Sequence, residues 1–249
     1  MADQRPVMLI TGASRGIGAA IARAAAPTYD LLLNYATSSA AARELADELR
    51  GVGCRAEPVQ ADVGDEAQVL AMFKQLDTTF GRLDVLVNNA GIAGGYGTLD
   101  VVNGEMLARL WAVNITGPFV CSREAAARMR TDSGGRGGSI VNISSKAAVL
   151  GGSGEWVYYA ASKGALDTMT IGLSKELAAF GVRVNGVRPG LIESDFHQNA
   201  PPGRIERMAP SIPMQRSASP AEVAPAVLWL ASDEASYVTG TCIDVTGGR

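Results

Sequence analysis

The sequence of 249 residues has few of the residues that build metal sites and disulfide frameworks. Its one histidine, His197, excludes a zinc site made of several histidines, and we expect it to be a surface or lid residue. Its three cysteines, Cys54, Cys121 and Cys242, are odd in number and lack metal-ligand spacing. The sequence therefore predicts no metal site and free thiols.

Long apolar runs and blocks of like charge are missing as well. No stretch approaches the ~20 apolar residues that span a bilayer, and residues 1–6 lack the apolar region of a signal peptide. The chain has 22 basic against 25 acidic residues, a formal net charge of −3, with no basic block. We therefore expect a cytoplasmic protein that binds neither nucleic acid nor a membrane.

Short apolar runs alternate with helix-like segments throughout the chain, and no linker divides it. Buried strands that alternate with helices are typical of a parallel sheet covered on both faces. The sequence predicts an α/β fold for residues 1–249: one domain with a doubly wound, parallel, seven-stranded sheet of the Rossmann type and helices on both faces. The predicted strands are 7–10, 31–34, 56–60, 85–87, 139–143, 183–188 and 242–245, and the predicted helices include 40–50, 66–80, 106–130, 157–180 and 221–231.

A glycine-rich turn, Thr-Gly-Ala-Ser-Arg-Gly-Ile-Gly at residues 11–18, follows the first predicted strand and begins a helix. Glycine permits a tight turn and lets a pyrophosphate approach the main chain, and the N–H groups at a helix start favour an anion. The turn alone predicts either a dinucleotide site or a purely structural strand-to-helix connection.

Tyr159 and Lys163 stand four residues apart in a predicted helix, so their side chains share one face. A nearby cation favours the ionised form of a phenol, and we therefore expect Lys163 to lower the pKa of Tyr159 from about 10. A phenol tuned in this way can exchange a proton with a carbonyl or alcohol oxygen. The neighbouring Tyr158 is not the candidate, because Ser162 stands four residues after it.

The two motifs occur in one order with Asn88-Asn89-Ala90-Gly91, Asn114, Ser144-Ser145 and Pro189-Gly190. In this order and spacing the chain resembles the short-chain dehydrogenase/reductase family in its short, single-domain form, and is similar to members such as 3-oxoacyl-carrier-protein reductases and sugar dehydrogenases. The resemblance covers residues 7–248. It implies an oxidoreductase that transfers a hydride between a nicotinamide dinucleotide and a carbonyl or secondary-alcohol substrate.

The resemblance also implies a cofactor site, and the residue types favour NADP over NAD, with NAD possible. No carboxylate stands at Ala36, where NAD-preferring sites place one after the second strand. Arg15 could instead grip a 2′-phosphate, with hydroxyl donors from Thr37 and Ser38. The residues expected to line the dinucleotide are Gly12, Ser14, Arg15, Gly16, Ile17, Gly18, Thr37, Asp62, Val63, Asn89, Ala90, Gly91, Tyr159, Lys163, Pro189, Gly190, Ile192 and Ser194.

In the family pattern Tyr159 is the acid/base, Ser145 holds the substrate oxygen and Lys163 holds the nicotinamide ribose. Asn114 is expected to help hold a water that links the lysine to solvent. The residues expected to carry the reaction are thus Asn114, Ser145, Tyr159 and Lys163. Ser144 is a competitor for the role of Ser145, and we expect Lys146 to point to solvent rather than to meet an acidic substrate group.

The polar, proline-containing segment at about residues 193–210 is predicted to be a substrate lid. Further substrate contacts are expected from residues 94–96 and 147–156. The resemblance implies a homotetramer or homodimer. Two other functions stay open: an NAD-dependent sugar or polyol dehydrogenase, and a non-catalytic dinucleotide-binding regulator, which the intact set of four catalytic candidates disfavours.

Overall fold

In the computed structural model, which describes residues 5–197 and 200–249, a parallel sheet of seven strands runs through the protein in the order β3-β2-β1-β4-β5-β6-β7. Each predicted strand is present, and the observed bounds differ from the predicted ones by at most one residue at an end. The strands are β1 (Val7–Ile10), β2 (Asp30–Tyr35), β3 (Ala56–Gln60), β4 (Val85–Asn88), β5 (Gly138–Ile143), β6 (Val182–Pro189) and β7 (Cys242–Val245).

Helices cover both faces of this sheet. They are α1 (Gly16–Ala25), α2 (Ser39–Gly51), α3 (Glu66–Thr79), α4 (Gly104–Trp111), α5 (Gly117–Met129), α6 (Ala147–Leu150), α7 (Val157–Leu177), α8 (Arg204–Met208) and α9 (Ala224–Ala231). No helix of the described ranges is both long enough and apolar enough to cross a membrane.

The strands are apolar on both faces because each face packs against helices. In β1, Met8 and Ile10 belong to one core with residues of α1, α2 and α9, whereas Val7 and Leu9 belong to the opposite core with residues of α3 and α5. All four side chains are buried. A near-continuous apolar run is the pattern expected of a parallel strand buried on both sides.

The predicted helix 106–130 is wrong in one respect, because a π-helical turn, Ala112–Thr116, separates α4 from α5. Pro118 lacks an N–H group and cannot donate to the carbonyl of Asn114. The N–H of Gly117 donates to the carbonyl of Ala112, five residues back, which widens the turn. Turns of this kind are frequent at functional sites, and this one contains Asn114.

The predicted helices 157–180 and 221–231 are also shorter than expected. Helix α7 ends at Leu177 and is followed by a 3₁₀ turn, Ala178–Phe180, and by Gly181 with φ 74°. Before α9, a separate 3₁₀ turn, Pro220–Glu222, is closed by a capping box between Ser219 and Glu222. Both differences are terminal turns, which apolar periodicity does not distinguish from helix.

The sheet reverses its winding between β1 and β4, since β2 and β3 lie on one side of β1 and β4 to β7 on the other. Ile10, the last residue of β1, pairs with Leu33 of β2 and with Val87 of β4, and these two strands end within two residues of those partners. In open α/β sheets, ligands bind beyond the carboxyl ends of the strands at such a reversal. The site is therefore expected beside the turn that follows β1.

Gly18 lets α1 pack closely on this turn. A Cβ at Gly18 would lie 2.4 Å from the carbonyl oxygen of Gly12 and 2.6 Å from Nδ2 of Asn89. We expect Gly18→Ala to lower the free energy of unfolding by about 1–3 kcal/mol, because backbone must move to admit the methyl group. Urea denaturation measures the change.

Gly172→Ala is the matched control for Gly18→Ala. A Cβ there meets nothing within 4 Å, and alanine in a helix interior is more stable than glycine by about 0.5–1 kcal/mol. If Gly18→Ala were as stable as the unmodified protein, the close packing of α1 on the turn would be contradicted.

Candidate active site

A cleft of about 750 Å³ opens at the carboxyl ends of the strands, around the reversal between β1 and β4. Its walls come from the turn after β1 and from the segments that follow β2 to β6. The predicted cofactor residues that line it are Gly12, Ser14, Arg15, Gly16, Ile17, Thr37, Asp62, Val63, Asn89, Ala90, Gly91, Tyr159, Lys163, Pro189, Gly190, Ile192 and Ser194.

The turn after β1 presents main chain to the cleft. Gly12 and Gly16 have φ of 62° and 56°, a region that favours glycine. A Cβ at Gly12 would lie 2.9 Å from Cα of Ala90. The backbone here can thus approach a ligand, and the start of α1 offers N–H groups to an anion.

Hydrogen bonds lock this turn to the end of β4. Thr11 Oγ1 accepts from the N–H groups of Asn89 and Ala90, both at 3.0 Å. Asn89 Nδ2 donates to the carbonyls of Thr11 and Gly12 at 2.8 and 3.0 Å. The neighbouring Asn88 is buried and donates to Asn142 Oδ1 at 2.9 Å, so it ties β4 to β5.

Asn34 fixes the same turn from β2, and the sequence reasoning did not single it out. Its Oδ1 accepts from the N–H of Gly12 at 3.2 Å, and its Nδ2 donates to the carbonyl of Ala61 at 2.9 Å. The signal that could have found it is an amide inside the apolar run of β2.

Charged side chains surround the end of the cleft beside β2 and β3. Arg15 forms an ion pair with Asp195 at 3.2 Å, and both side chains are about half exposed. Asp62 pairs with Arg109 at 2.7 Å. Ala36 and Thr37 line the cleft after β2. Arg15, a residue of the glycine turn, thus reaches across to Asp195 in the segment after β6.

Tyr159 and Ser145 meet on the wall of the cleft. Tyr159 is 8% exposed, and both Tyr159 and Ser145 line the cleft. Ser145 lies near enough to lower the pKa of the Tyr159 phenol in part. Ser144, the competitor, is buried and donates its hydroxyl to the carbonyl of Lys163 at 3.1 Å. Tyr158 donates its hydroxyl to the carbonyl of Gly95. The geometry thus leaves Ser145 and Tyr159 as the hydroxyl pair on this wall.

The expected lowering of the Tyr159 pKa does not occur in this structure. Burial raises the pKa of Tyr159 to about 12, and Ser145 offsets only part of that rise. Lys163 Nζ lies 5.7 Å from the centroid of the Tyr159 ring and donates to the carbonyl of Ile143 at 2.7 Å. Loss of hydration therefore outweighs the attraction of the ammonium for a phenolate.

Burial acts on Lys163 in the opposite direction. It lowers the pKa of Lys163 to about 8, and the charge of Asp167 offsets part of this effect. The side chain is 3% exposed but lines the cleft, next to Gly91. The amine therefore titrates close to neutral pH.

Asn114 is not among the residues that line the cleft. It is fully buried in the π-helical turn. Its Oδ1 accepts from the N–H of Ile92 at 2.9 Å, and its Nδ2 donates to the carbonyl of Ile92 at 2.8 Å and to Ser162 Oγ at 3.0 Å. Asn114 thus joins the loop after β4 to α7.

Comparison with known proteins identifies the family. A family profile described as enoyl-(acyl carrier protein) reductase matches residues 12–249. The chain is 49% identical over 245 residues to the uncharacterized oxidoreductase YgfF of Escherichia coli (strain K12), with 98% of this chain and 99% of that relative covered. It is 38% identical to the 3-oxoacyl-(acyl-carrier-protein) reductase FabG of Staphylococcus aureus, with 96% of each covered.

The chain belongs to the short-chain dehydrogenase/reductase family. A blue fluorescent protein from a metagenomic library, solved in complex with NADPH, is 38% identical with a TM-score of 0.88 over 98% of this chain and 97% of that one. A short-chain type dehydrogenase/reductase from Mycobacterium marinum is 34% identical with a TM-score of 0.92 over 99% and 96%. The predicted Rossmann-type fold is confirmed.

Gly18 is not among the residues that line the cleft, because it is buried where α1 packs on the turn, and its contact with the dinucleotide stays a prediction. The expectation for another residue of this short-chain dehydrogenase/reductase is wrong. Lys146 does not extend into solvent, because it pairs with Asp244 at 2.6 Å and its side chain is only 18% exposed.

Residues of the segments expected to contact the substrate, 147–156 and about 193–210, also line the cleft, among them Glu155, Trp156, Phe196 and Arg204. Arg109 and Arg249 line the cleft too and were not singled out from the sequence. Their residue type is ordinary for a surface, so composition gave no signal for them. Residues 198 and 199 of the predicted lid lie outside the described residues, as does the side chain of His197.

Proposed function

We propose that this protein is an NADP(H)-dependent carbonyl reductase in which Tyr159 exchanges a proton with the substrate oxygen. The observation that carries the proposal is that Ser145, Tyr159 and Lys163 line the same cleft, with Lys163 one helical turn along α7 from Tyr159. A carbonyl oxygen placed between the two hydroxyls would receive two donors.

The cleft fits a dinucleotide. The turn after β1 has no Cβ at Gly12 and Gly16, so a pyrophosphate can approach its backbone, and the helix start beside it favours an anion. When bound, NADPH supplies the hydride to the carbonyl carbon. Lys163, which is expected to hold the nicotinamide ribose, lines the cleft one helical turn from Tyr159 and next to Gly91.

The protein's own groups handle the proton. With its pKa raised to about 12, Tyr159 carries its proton at neutral pH and can donate it to the forming alkoxide. The ammonium of Lys163 stabilises the phenolate that results. Asn114 holds the backbone of Ile92 and the hydroxyl of Ser162, which keeps α7 and the loop after β4 in register around these groups.

Charge supports NADP over NAD. No carboxylate stands at Ala36, and Arg15 is positioned beside the glycine turn with Thr37 across the cleft. A relative that is 38% identical was solved with NADPH. These observations argue against the NAD-dependent sugar or polyol dehydrogenase. The substrate lid, the homotetramer or homodimer and the cytoplasmic location stay predictions.

Replacing Tyr159 with phenylalanine tests the acid/base role. We expect Tyr159→Phe to lower kcat/KM for NADPH-dependent carbonyl reduction by about 10²–10⁴-fold, because general acid catalysis contributes that much. The assay follows nicotinamide absorbance over a panel of ketones and aldehydes. Tyr158→Phe is the control, since that hydroxyl is engaged by the backbone of Gly95, and equal losses in the two variants would refute the assignment.

Replacing Arg15 with alanine tests the 2′-phosphate site. A charge-assisted hydrogen bond contributes about 1.5–3 kcal/mol, so Arg15→Ala should weaken NADPH binding by about 10–100-fold and leave NADH binding nearly unchanged. Fluorescence titration gives both dissociation constants. Arg23→Ala, which removes an arginine of α1 paired with Glu48, should change neither. Equal weakening of both cofactors by Arg15→Ala would defeat the phosphate assignment.

The pKa values predict a pH dependence for reduction. Lys163, with a pKa of about 8, is protonated at lower pH and loses its charge as the pH rises, whereas Tyr159 keeps its proton up to about 12. We expect kcat/KM to be constant below about pH 7 and to fall above about pH 8, since this parameter reports groups of the free enzyme. A profile that stays flat up to pH 10 would contradict the role of the Lys163 ammonium.

A further inference from the structure

Aromatic rings form the wall beside the proposed acid/base. The ring of Phe196 lies 5.0 Å from that of Tyr159 and 5.6 Å from that of Trp156. Tyr96 packs edge-on against Trp156 at 5.1 Å. These distances are typical of interacting rings. A substrate carbonyl at Tyr159 would therefore have an apolar, rigid surface beside it.

An ion pair adjoins this aromatic wall. Arg204 of α8 contacts Glu155 through two nitrogens, Nε to Oε1 at 2.9 Å and Nη2 to Oε2 at 2.5 Å. Its guanidinium also lies 4.7 Å from the centroid of the Trp156 ring. Arg204 is only 8% exposed, and both partners line the cleft. The planar guanidinium of an arginine binds a carboxylate through two parallel hydrogen bonds in one orientation. This contact therefore fixes α8 relative to the residues just before α7.

Three segments that are distant in the sequence meet at this ion pair. Arg204 belongs to the segment predicted to be the lid, and Glu155 lies just before α7. The N–H of Gly97 donates to the carbonyl of Glu155 at 2.9 Å, and Tyr158 donates to the carbonyl of Gly95. Residues 95–97, Glu155 and the segment of Arg204 are thus held together, so that none of these three segments moves independently to admit a longer substrate.

A dinucleotide would occupy much of the cleft. Sites of about 300–1,000 Å³ hold one drug-sized ligand, and this cleft of about 750 Å³ would have to hold a dinucleotide and a substrate together. The part of a substrate next to Tyr159 would therefore lie against the aromatic wall and the ion pair.

We propose that the Glu155–Arg204 ion pair and the rings of Trp156 and Phe196 close the substrate end of the cleft and restrict the substrate to compact carbonyl compounds. Carbonyls with a long alkyl tail, such as a carrier-bound or thioester-bound long-chain 3-oxoacyl group, are excluded. The inference rests on the proposed function of Tyr159. Glu155 and Arg204 act as specificity-determining, positioning residues and take no part in proton transfer.

The test compares compact carbonyls with extended analogues. Short 3-oxo esters, aryl aldehydes and cyclic ketones are each paired with an analogue that carries a long alkyl tail, and kcat/KM is measured with NADPH. We expect the unmodified protein to prefer the compact member of a pair by at least about ten-fold, a ratio that corresponds to ~1.4 kcal/mol. Glu155→Ala and Arg204→Met should each reduce that preference to about three-fold or less.

We call the Glu155–Arg204 ion pair the latch. The double variant Glu155→Ala/Arg204→Met tests whether the two residues restrict the substrate through their mutual contact. If the two residues act through their mutual contact, the double variant has the same preference as either single variant. Glu48→Ala is the matched control, because it removes another arginine–glutamate pair with two short contacts, to Arg23 at 2.8 Å, on the surface of α2. It should leave the preference unchanged, since a merely destabilised protein loses activity on both members alike.

A binding readout keeps the two proposals distinguishable. The same pairs are titrated by calorimetry into the NADPH complex of Tyr159→Phe, which retains the aromatic ring at the cleft wall. Equal or tighter binding of the extended members overturns the latch, whether or not they turn over. A preference for compact ligands without turnover in the unmodified protein supports the latch and refutes the reductase. No binding by either member, together with no turnover of either by the unmodified protein, overturns both.

Discussion

The close approach of two backbone segments, the turn after β1 and the loop after β4, sets the geometry of the whole cleft. Gly12 lies so near Ala90 that a Cβ would collide with the main chain there. Thr11 and Asn89 then hold the two segments together with reciprocal hydrogen bonds. Because α1 begins in this turn, the position of the anion site depends on the same contacts. The loop after β4 carries Gly91 and Ile92 towards Lys163 and Asn114, so both halves of the cleft depend on them.

Burial is the second constraint, and it decides the protonation of the reacting groups. A phenol and an amine one helical turn apart would favour the phenolate and the ammonium if attraction alone mattered. Here both are buried in the wall of the cleft, and burial favours the neutral form of each. The result is a tyrosine that holds its proton and a lysine that titrates near pH 8. Reduction of a carbonyl needs a tyrosine that still carries its proton. Release of that proton is helped by a nearby lysine that is charged below about pH 8.

The two ends of the cleft are closed by different means. Beside β2 and β3 the contacts are exposed ion pairs such as Arg15–Asp195, which are screened by solvent and can exchange partners easily. At the substrate end the Glu155–Arg204 pair is largely buried against Trp156, and breaking it would leave a charge without its partner. A polyanionic cofactor can therefore compete for the first kind of contact, whereas the second resists displacement by a substrate.

The sequence by itself determined the fold class, the strand positions and the identity of the main cleft residues. Those features follow from local rules: the alternation of apolar runs with helices, the glycine turn, and the four-residue spacing of Tyr159 and Lys163. The tertiary structure alone decided how those groups behave. Ser144 and Ser145 both line the cleft, and the hydroxyl of Ser144 is engaged by a carbonyl nineteen residues away, that of Lys163. The π-turn at Asn114, the partner of Lys146, the buried place of Gly18 and the pKa of Tyr159 depend likewise on segments brought together by folding. Glu155 and Arg204 are 49 residues apart, and no local pattern joins them, because only the packing of the chain places a carboxylate against a guanidinium and removes both from water.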